Sequence, residues 1–180
     1  LRILNHLPKG FRCGFPIHPL RLNSQQLDQK ANNMIFIFNF GAAKTNGDDI
    51  RFSTASGGSV PYQIEQWDPA NGTAAVWLNV PSITGNARQE MKMYWGKADA
   101  VSESSGTAVF NATNGYLSVF HMNETIKDEV GTLTPTDTGT TVATSMIGKG
   151  RNFTKGKGIN CGENITNYPT GNSACTTGAW

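Results

Sequence analysis

The sequence lacks the features that mark membrane-spanning and nucleic-acid-binding proteins. Its longest apolar run, residues 34–38, is far shorter than the roughly 20 apolar residues with which a helix spans a bilayer. The formal net charge is only +2, and the 15 Lys and Arg residues form no basic run. We therefore predict no membrane span in this chain and no nucleic-acid partner.

Cysteine is also scarce, and its odd number leaves the redox state open. Cys161 and Cys175 flank a turn-rich segment and would close a loop if their two strands were neighbours. Such a closed loop stabilises a fold by about 3 kcal/mol, and Cys13 would then be left over. The alternative is that all three are small unpaired residues. His6, Cys13 and His18 match no zinc-site spacing.

Catalytic signatures are missing as well. The chain contains no G-x-S-x-G, H-E-x-x-H or phosphate-binding loop motif. Its paired acids, Asp48-Asp49 and Asp128-Glu129, are adjacent residues, so in a strand their carboxylates point to opposite faces. We therefore expect no enzyme activity.

What the sequence does contain is a succession of short strands. Glycine is abundant, at 20 residues, and 38% of the residues are hydrophobic, which suits strands joined by turns around a core. Apolar or alternating runs predict strands at residues 15–22, 33–40, 49–52, 60–68, 75–80 and 91–96. Only residues 23–30 have a helical pattern. Short strands at regular spacing predict an all-β fold, in the form of an antiparallel β-sandwich.

Four motifs in this region occur in a defined order. They are DIRF at residues 49–52, PYQIEQWD at 61–68, AAVWLNVPSI at 74–83 and YWG at 94–96. Together they resemble the bacterial family catalogued as domain of unknown function 2341, over about residues 33–100. The resemblance implies a secreted or envelope-exposed β-module without enzyme chemistry, usually beside a laminin-G-like module. It implies no particular ligand.

The strand pattern restarts after a small, polar segment. We interpret residues 101–114 as a linker that follows a first domain at residues 13–100. The motifs of the second half are GYLSVFHMNE at 115–124, IGKGRNF at 147–153 and TTGAW at 176–180. They resemble the opening of a laminin-G-like, concanavalin-type jelly roll. The resemblance assigns residues 115–180 to about the first third of such a module.

Within this second half we predict a strand at residues 116–124 and a hairpin formed by residues 146–153 and 158–162. The chain begins without Met and ends in a strand-like run, residues 174–180, so we expect it to be a piece of a longer protein. A truncated jelly roll leaves an apolar face and an unpaired strand edge. Self-association through this incomplete half is therefore one expected behaviour.

The candidate ligand-binding residues are aromatic: Trp67, Trp77, Tyr94 and Trp95. Flat aromatic faces stack on the apolar faces of sugar rings, while polar neighbours fix the orientation. Trp77 and Tyr94 are the better candidates, because each lies opposite the aliphatic residues of its strand. Trp67 and Trp95 belong to the family pattern. For all four, the alternative is a place in the core or in a domain interface.

Glu124 and Asp128 are the candidate metal ligands. Concanavalin-type jelly rolls often hold a calcium ion with carboxylates and backbone carbonyls, so the resemblance implies a calcium site near these clustered acids. Calcium takes roughly six to eight oxygen ligands, and this segment supplies only part of such a set. The family's longer loop is shortened here to KDEVGT at residues 127–132, and a solvated loop is the alternative.

These observations favour a non-catalytic recognition module that binds a polysaccharide or a glycoconjugate. We expect it outside the cytoplasm, either secreted or in the cell envelope. One alternative is a structural or adhesive surface or filament protein that assembles by strand exchange. A second is a periplasmic sensor domain of an envelope proton-channel-type protein, because some members of the family adjoin such subunits. No residue of this chain carries that last function.

Overall fold

The computed structural model describes residues 2–3, 17–23, 38–83, 89–145, 148–162 and 168–178. The chain divides into two compact units, Leu1–Val109 and Phe110–Trp180. The strands are β1 (Arg2–Ile3), β2 (Ile17–Asn23), β3 (Arg51–Thr54), β4 (Tyr62–Asp68), β5 (Thr73–Asn79), β6 (Gln89–Tyr94), β7 (Thr136–Asp137), β8 (Thr141–Thr144), β9 (Lys149–Asn152) and β10 (Ile159–Asn160). Helix α1 is Gly106–Val109, and short 3₁₀ helices lie at Phe40–Ala42 and Ala112–Asn114. The prediction of a mostly β chain is confirmed, in the form of small antiparallel sheets.

The first unit contains two three-stranded antiparallel sheets, in the orders β1-β6-β3 and β2-β5-β4. The strands predicted at residues 49–52, 60–68, 75–80 and 91–96 are observed as β3 to β6, within two residues at each end. The edge strand predicted at residues 15–22 is observed as β2, at the edge of its sheet. These predictions succeeded because, in this region, the alternation of apolar and polar residues and the positions of proline and glycine indicate the same strands.

One hydrophobic cluster takes side chains from both sheets of the first unit. In β5, Val76 and Leu78 are buried in it, whereas Trp77 between them faces away, as the two-residue period of a strand requires. Phe38 is fully buried and stacks edge-on against Trp95, with ring centroids 5.1 Å apart. The buried members are Phe38, Phe40, Ile50, Phe52, Val60, Tyr62, Ala74, Val76, Leu78, Val80 and Met91.

Residues 101–109, which we name the edge strap, pack along β4 at the edge of its sheet. The backbone N–H of Ser105 donates to the Tyr62 carbonyl at 2.9 Å, and the Ile64 N–H donates to Ser104 Oγ at 2.8 Å. The strap ends in α1, whose Val109 is fully buried. Most of the segment predicted as a linker therefore covers a strand edge, a position that otherwise invites pairing with other chains.

The second unit has a different construction. Its strands form two-stranded sheets, β8 with β9 and β7 with β10. Among the described residues of this unit, Phe110 is the one buried hydrophobic side chain, whereas Asp128, Glu129 and Thr140 are also buried. Polar contacts, rather than a large apolar cluster, therefore hold the described part of this unit together.

Several predictions for the second unit are wrong. Residues 116–124 form no strand, since the chain makes only one bridge, from Phe120 to Asp128, and Met122 takes a φ of 55° that breaks extended structure. The predicted hairpin is also wrong, because β9 and β10 each pair with an upstream strand and not with each other. Residues 174–178 form no strand, and residues 179–180 lie outside the described residues.

The N-terminal predictions are only partly covered. Of the helix-like run predicted at residues 23–30, Asn23 is the last residue of β2 and the rest lies outside the described residues, as does most of the strand predicted at residues 33–40. At the described end of that strand, Phe40–Ala42 form a 3₁₀ turn, which is capped by the Asn39 side chain accepting from the Gly41 N–H at 3.0 Å. None of the helices in the described part of the chain has the length and apolar character needed to cross a membrane.

Candidate functional site

Trp77 lies on β5, the middle strand of its sheet, on the face that points away from the hydrophobic cluster. Its ring is partly exposed, and its indole Nε1 donates to Glu65 Oε2 at 2.6 Å. Glu65 reaches it from β4, where the pairing with β5 shifts by one residue between Ile64 and Gln66. This β-bulge turns the Glu65 side chain toward the indole, because a bulge redirects the side chains of the strand that carries it.

The surroundings of Trp77 are fixed by further contacts. Gln63 on β4 is its direct cross-strand neighbour and is buried. On the same face of β5, Asn79 Nδ2 donates to the Ala108 carbonyl of the edge strap at 3.2 Å. The indole is therefore bound by a charged neighbour, and Asn79, two residues along the same face, contacts the edge strap. Glu65 lies in the PYQIEQWD motif, but it was not among the site residues predicted from the sequence. A β-bulge leaves no clear mark in the alternation of apolar and polar residues along a strand.

Tyr94 is half-exposed, at 50%, and lies on β6 of the other sheet. Met91 on the same strand is buried in the cluster, and Met93 packs against it, so Tyr94 faces outward. The phenol oxygen lies 3.4 Å from Ser53 Oγ. Trp77 and Tyr94 lie on two different sheets, and each faces away from the cluster that the sheets share. Each is therefore a separate candidate.

Trp67 and Trp95 take part in core packing. The Trp67 ring meets Phe38 and Phe40 edge-on, with centroid distances of 5.6 and 5.0 Å, and Trp95 packs on the same cluster. The Trp67 Nε1 is buried and has no hydrogen-bond partner within the described residues. Gly47 lies so close that an added Cβ would stand 2.8 Å from Trp67 Cδ2. The structure thus gives these two rings a packing role.

The carboxylate of Asp49, in the DIRF motif, joins two loops. It is 3% exposed and accepts from the Lys44 N–H at 2.8 Å and from the Gly96 N–H at 2.6 Å. Burial raises the pKa of the Asp49 carboxyl, but these hydrogen bonds outweigh the burial, so the pKa lies below its usual value. Asp49 is therefore a charged structural residue that fixes the start of β3 against the YWG motif.

Arg51, in the same motif, connects β3 to β4 and to the edge strap. Its Nη1 donates to Tyr62 Oη at 3.2 Å, its Nη2 donates to the Val101 carbonyl at 2.6 Å, and its Nε pairs with Glu103 at 2.9 Å. Burial raises the pKa of the Tyr62 phenol. The polar residues of this motif thus hold elements of the first unit together.

Asp128, one of the two candidate calcium ligands, is almost fully buried and surrounded by donors. Its Oδ1 accepts from the N–H groups of Val119 and Val130, at 3.0 and 3.1 Å. Its Oδ2 accepts from the N–H and hydroxyl of Thr132 and from the Leu133 N–H, each at 3.0 Å. Burial raises the Asp128 pKa, but the hydrogen bonds outweigh burial and lower it.

This donor set does not suit a calcium ion, because both Asp128 oxygens already accept hydrogen bonds from groups that would repel a cation. Glu124 is exposed, and its backbone carbonyl accepts from Arg151 Nη2 at 2.7 Å. Within the described residues, no three His, Cys, Asp or Glu side chains are grouped so that they could hold a metal ion. The structure thus gives Asp128 a structural role, and calcium binding stays a prediction.

The remaining reactive side chains are dispersed. Cys161 and Cys175 carry free thiols, of which the first is partly buried and the second exposed, and Cys13 lies outside the described residues. The His121 ring packs edge-on against Phe110, with centroids 5.6 Å apart, which is a structural contact.

A family model described as domain of unknown function (DUF2341) matches residues 46–140. The match includes the four motifs, the Glu65–Trp77 pair and Asp128. It runs through residues 101–114 and into the second unit, beyond the end predicted for the family resemblance. No curated protein and no solved structure matches the chain. These comparisons give no evidence for the laminin-G-like resemblance of residues 115–180.

Proposed function

Because the chain belongs to the DUF2341 family, whose description assigns no activity, we propose a function from the residues themselves. The protein is a non-catalytic recognition module that binds a polysaccharide or a glycoconjugate on the face of Trp77. The observation that carries this proposal is the partly exposed indole on the middle strand of a sheet, oriented by a 2.6 Å hydrogen bond to Glu65.

The way in which the Trp77 indole is held favours stacking on a sugar. The indole N–H lies in the ring plane, so its bond to Glu65 fixes the orientation without covering the ring face. A pyranose presents an apolar face of C–H groups to such a ring. A ring already fixed loses little conformational entropy when the sugar binds, which favours affinity. Tyr94, on the other sheet, is a second and independent stacking surface.

We also propose a location and an architecture for the module. The module works outside the cytoplasm, as a secreted or envelope protein. The two sheets of the first unit form a β-sandwich, and this is supported by the single cluster that both sheets share. Residues 115–180 form the opening of a jelly roll, which is supported only by the motif resemblance.

A second candidate function is assembly by strand exchange. In the second unit, β8–β9 and β7–β10 are two-stranded sheets, so within the described residues each strand has one edge without a strand partner. Such edges accept additional strands. In the first unit the edge strap covers the outer edge of β4. We propose strand exchange for the second unit, because all of its described strands are edge strands. Sedimentation velocity over a range of concentrations tests it, and a concentration-independent monomer contradicts it.

The recognition proposal is tested by applying the chain to a glycan array, once with calcium and once with a chelator. Binding to one class of glycan supports the proposal. Loss of binding in chelator supports a metal site near Glu124, whereas equal binding in both conditions assigns recognition to the aromatic face. A soluble, cooperatively folded sample that binds no glycan contradicts the proposal and leaves strand exchange as the better candidate.

A further inference from the structure

The β9 strand and the turn after it form a concentrated basic surface. Residues 148–158, which we name the basic segment, contain four basic residues and no acidic one, whereas the whole chain has a net charge of only +2. Lys149, Lys155 and Lys157 are exposed. The fourth cation, Arg151, is engaged instead by Asp137, at 3.3 Å, and its side chain is only 8% exposed. The segment therefore presents three lysines to solvent.

Apolar side chains stand beside these lysines. Phe153, in the basic segment, is 52% exposed, and Val142 on the paired strand β8 is 43% exposed. By register Val142 lies opposite Arg151, next to the end of β9 that leads to Phe153. Strands β8 and β9 and the turn after β9 therefore present two apolar side chains to solvent together with the three lysines.

Hydrogen bonds close the turn after β9 and tie its end to Thr138. Thr138 N–H and Thr138 Oγ1 both donate to the Gly158 carbonyl, at 2.8 and 2.7 Å, and the Gly158 N–H donates to Thr138 Oγ1 at 3.1 Å. The Lys157 N–H donates to the Thr154 carbonyl at 2.9 Å. The basic segment is thus a preformed surface, which lowers the entropy lost on docking.

We propose that the basic segment docks the protein on an anionic lipid surface. Lysines are compact point charges that are attracted to lipid phosphates, while Phe153 and Val142 enter the boundary between headgroups and acyl chains. A nucleic acid or an acidic polysaccharide would satisfy the charges but would leave Val142 without an apolar partner. This inference concerns a surface in the second unit and stands independently of sugar binding at Trp77.

The test is co-sedimentation of the full chain with vesicles at low salt. One set of vesicles is phosphatidylcholine alone, and the other contains phosphatidylglycerol as well. We expect binding only to the anionic vesicles, with partitioning lowered about 25-fold by Lys155→Gln with Lys157→Gln, since each lysine contributes about fivefold. Phe153→Ser lowers it further, and added salt abolishes it.

The matched control is Lys92→Gln with Lys97→Gln, two exposed lysines of the first unit, which is expected to bind like the wild type. Melting temperatures show that each variant is folded. Three results overturn the proposal. They are no binding of the wild type to anionic vesicles, an equal loss in the control pair, and equally tight binding to polygalacturonate that Phe153→Ser leaves unchanged.

Discussion

The two units of this protein are stabilised by different kinds of contact. In the first, both sheets contribute to one hydrophobic cluster in which Phe38, Ile50 and Val76 are fully buried. In the described part of the second unit, the most buried groups include the carboxylate of Asp128. The Arg151 side chain is 8% exposed, and its guanidinium donates to the backbone carbonyls of Asn123 and Glu124. Apolar burial does not depend on pH, whereas charged hydrogen bonds do.

The difference also separates the roles that the units can play. A packed cluster beneath β5 gives Trp77 a rigid support, which a binding site requires. The second unit places its polar groups inside and its lysines, Val142 and Phe153 outside. The first unit is therefore the better support for stacking of a specific ring, and the second is the better surface for charge-driven docking.

Acidification should produce the largest difference in stability between the two units. The pKa values of Asp128 and Asp137 lie below the usual value near 3.8. The pKa of Asp49 in the first unit is lowered as well, but its carboxylate accepts hydrogen bonds from Lys44 and Gly96, outside β5. Groups with a lowered folded pKa stabilise fully above the unfolded pKa, and that stability is lost as the pH falls through the folded pKa. Below about pH 4 we expect the second unit to lose amide protection before β5 does. Hydrogen exchange, corrected for intrinsic rates, measures this, and earlier loss in β5 would contradict it.

Gly47→Ala tests the cluster of the first unit. The new Cβ would stand 2.8 Å from Trp67 Cδ2, and Gly47 has a φ of 71°. Overpacking and backbone strain together should lower the free energy of unfolding by about 3 kcal/mol. The control is Gly57→Ala, where φ is 94° but no heavy atom lies within 4 Å, so only about 1 kcal/mol is expected. Equal effects in urea unfolding would show that Trp67 is not tightly packed.

Asp128→Asn tests the polar interior of the second unit. An asparagine amide has one acceptor oxygen where the carboxylate has two. Its NH₂ group would therefore face N–H or O–H groups that donate hydrogen bonds to the carboxylate in the wild type. We expect a loss of about 2 kcal/mol, seen as reduced amide protection around residues 119–133. Glu124→Gln is the control and should change nothing, because Glu124 is exposed. If calcium raises the melting temperature of the wild type but not of Glu124→Gln, the structural account of Asp128 is incomplete.

The sequence predicted the first unit well for a physical reason. In β5 and β6, every second side chain packs in the cluster, and proline or glycine follows the strands, so the local pattern and the tertiary structure agree. The bulge that brings Glu65 to Trp77 depends on the register of two strands and was not predictable. The second unit was predicted poorly, because the loop around Asp128 is organised by backbone donors that leave no periodic signal.

Glu103→Gln should have the smallest effect. Glu103 Oε1 lies 2.9 Å from Arg51 Nε. However, the Arg51 side chain is 26% exposed and the Glu103 side chain 61% exposed, so solvent screens the attraction between them. We expect about 0.5 kcal/mol or less in thermal unfolding, with the edge strap still in place. Lys97→Gln, which removes a 3.7 Å pair with Asp99, is a matched surface control. A loss above about 2 kcal/mol in Glu103→Gln would mean that this ion pair holds the strap.

Titration calorimetry of Trp77→Ala with the glycan identified on the array tests sugar binding at this face most directly. We expect this variant to lose at least about tenfold in affinity while remaining folded. Tyr168→Ala, which removes a 56% exposed aromatic side chain from the second unit, should bind like the wild type. If folded Trp77→Ala binds as tightly as the wild type, recognition does not occur on the face of Trp77.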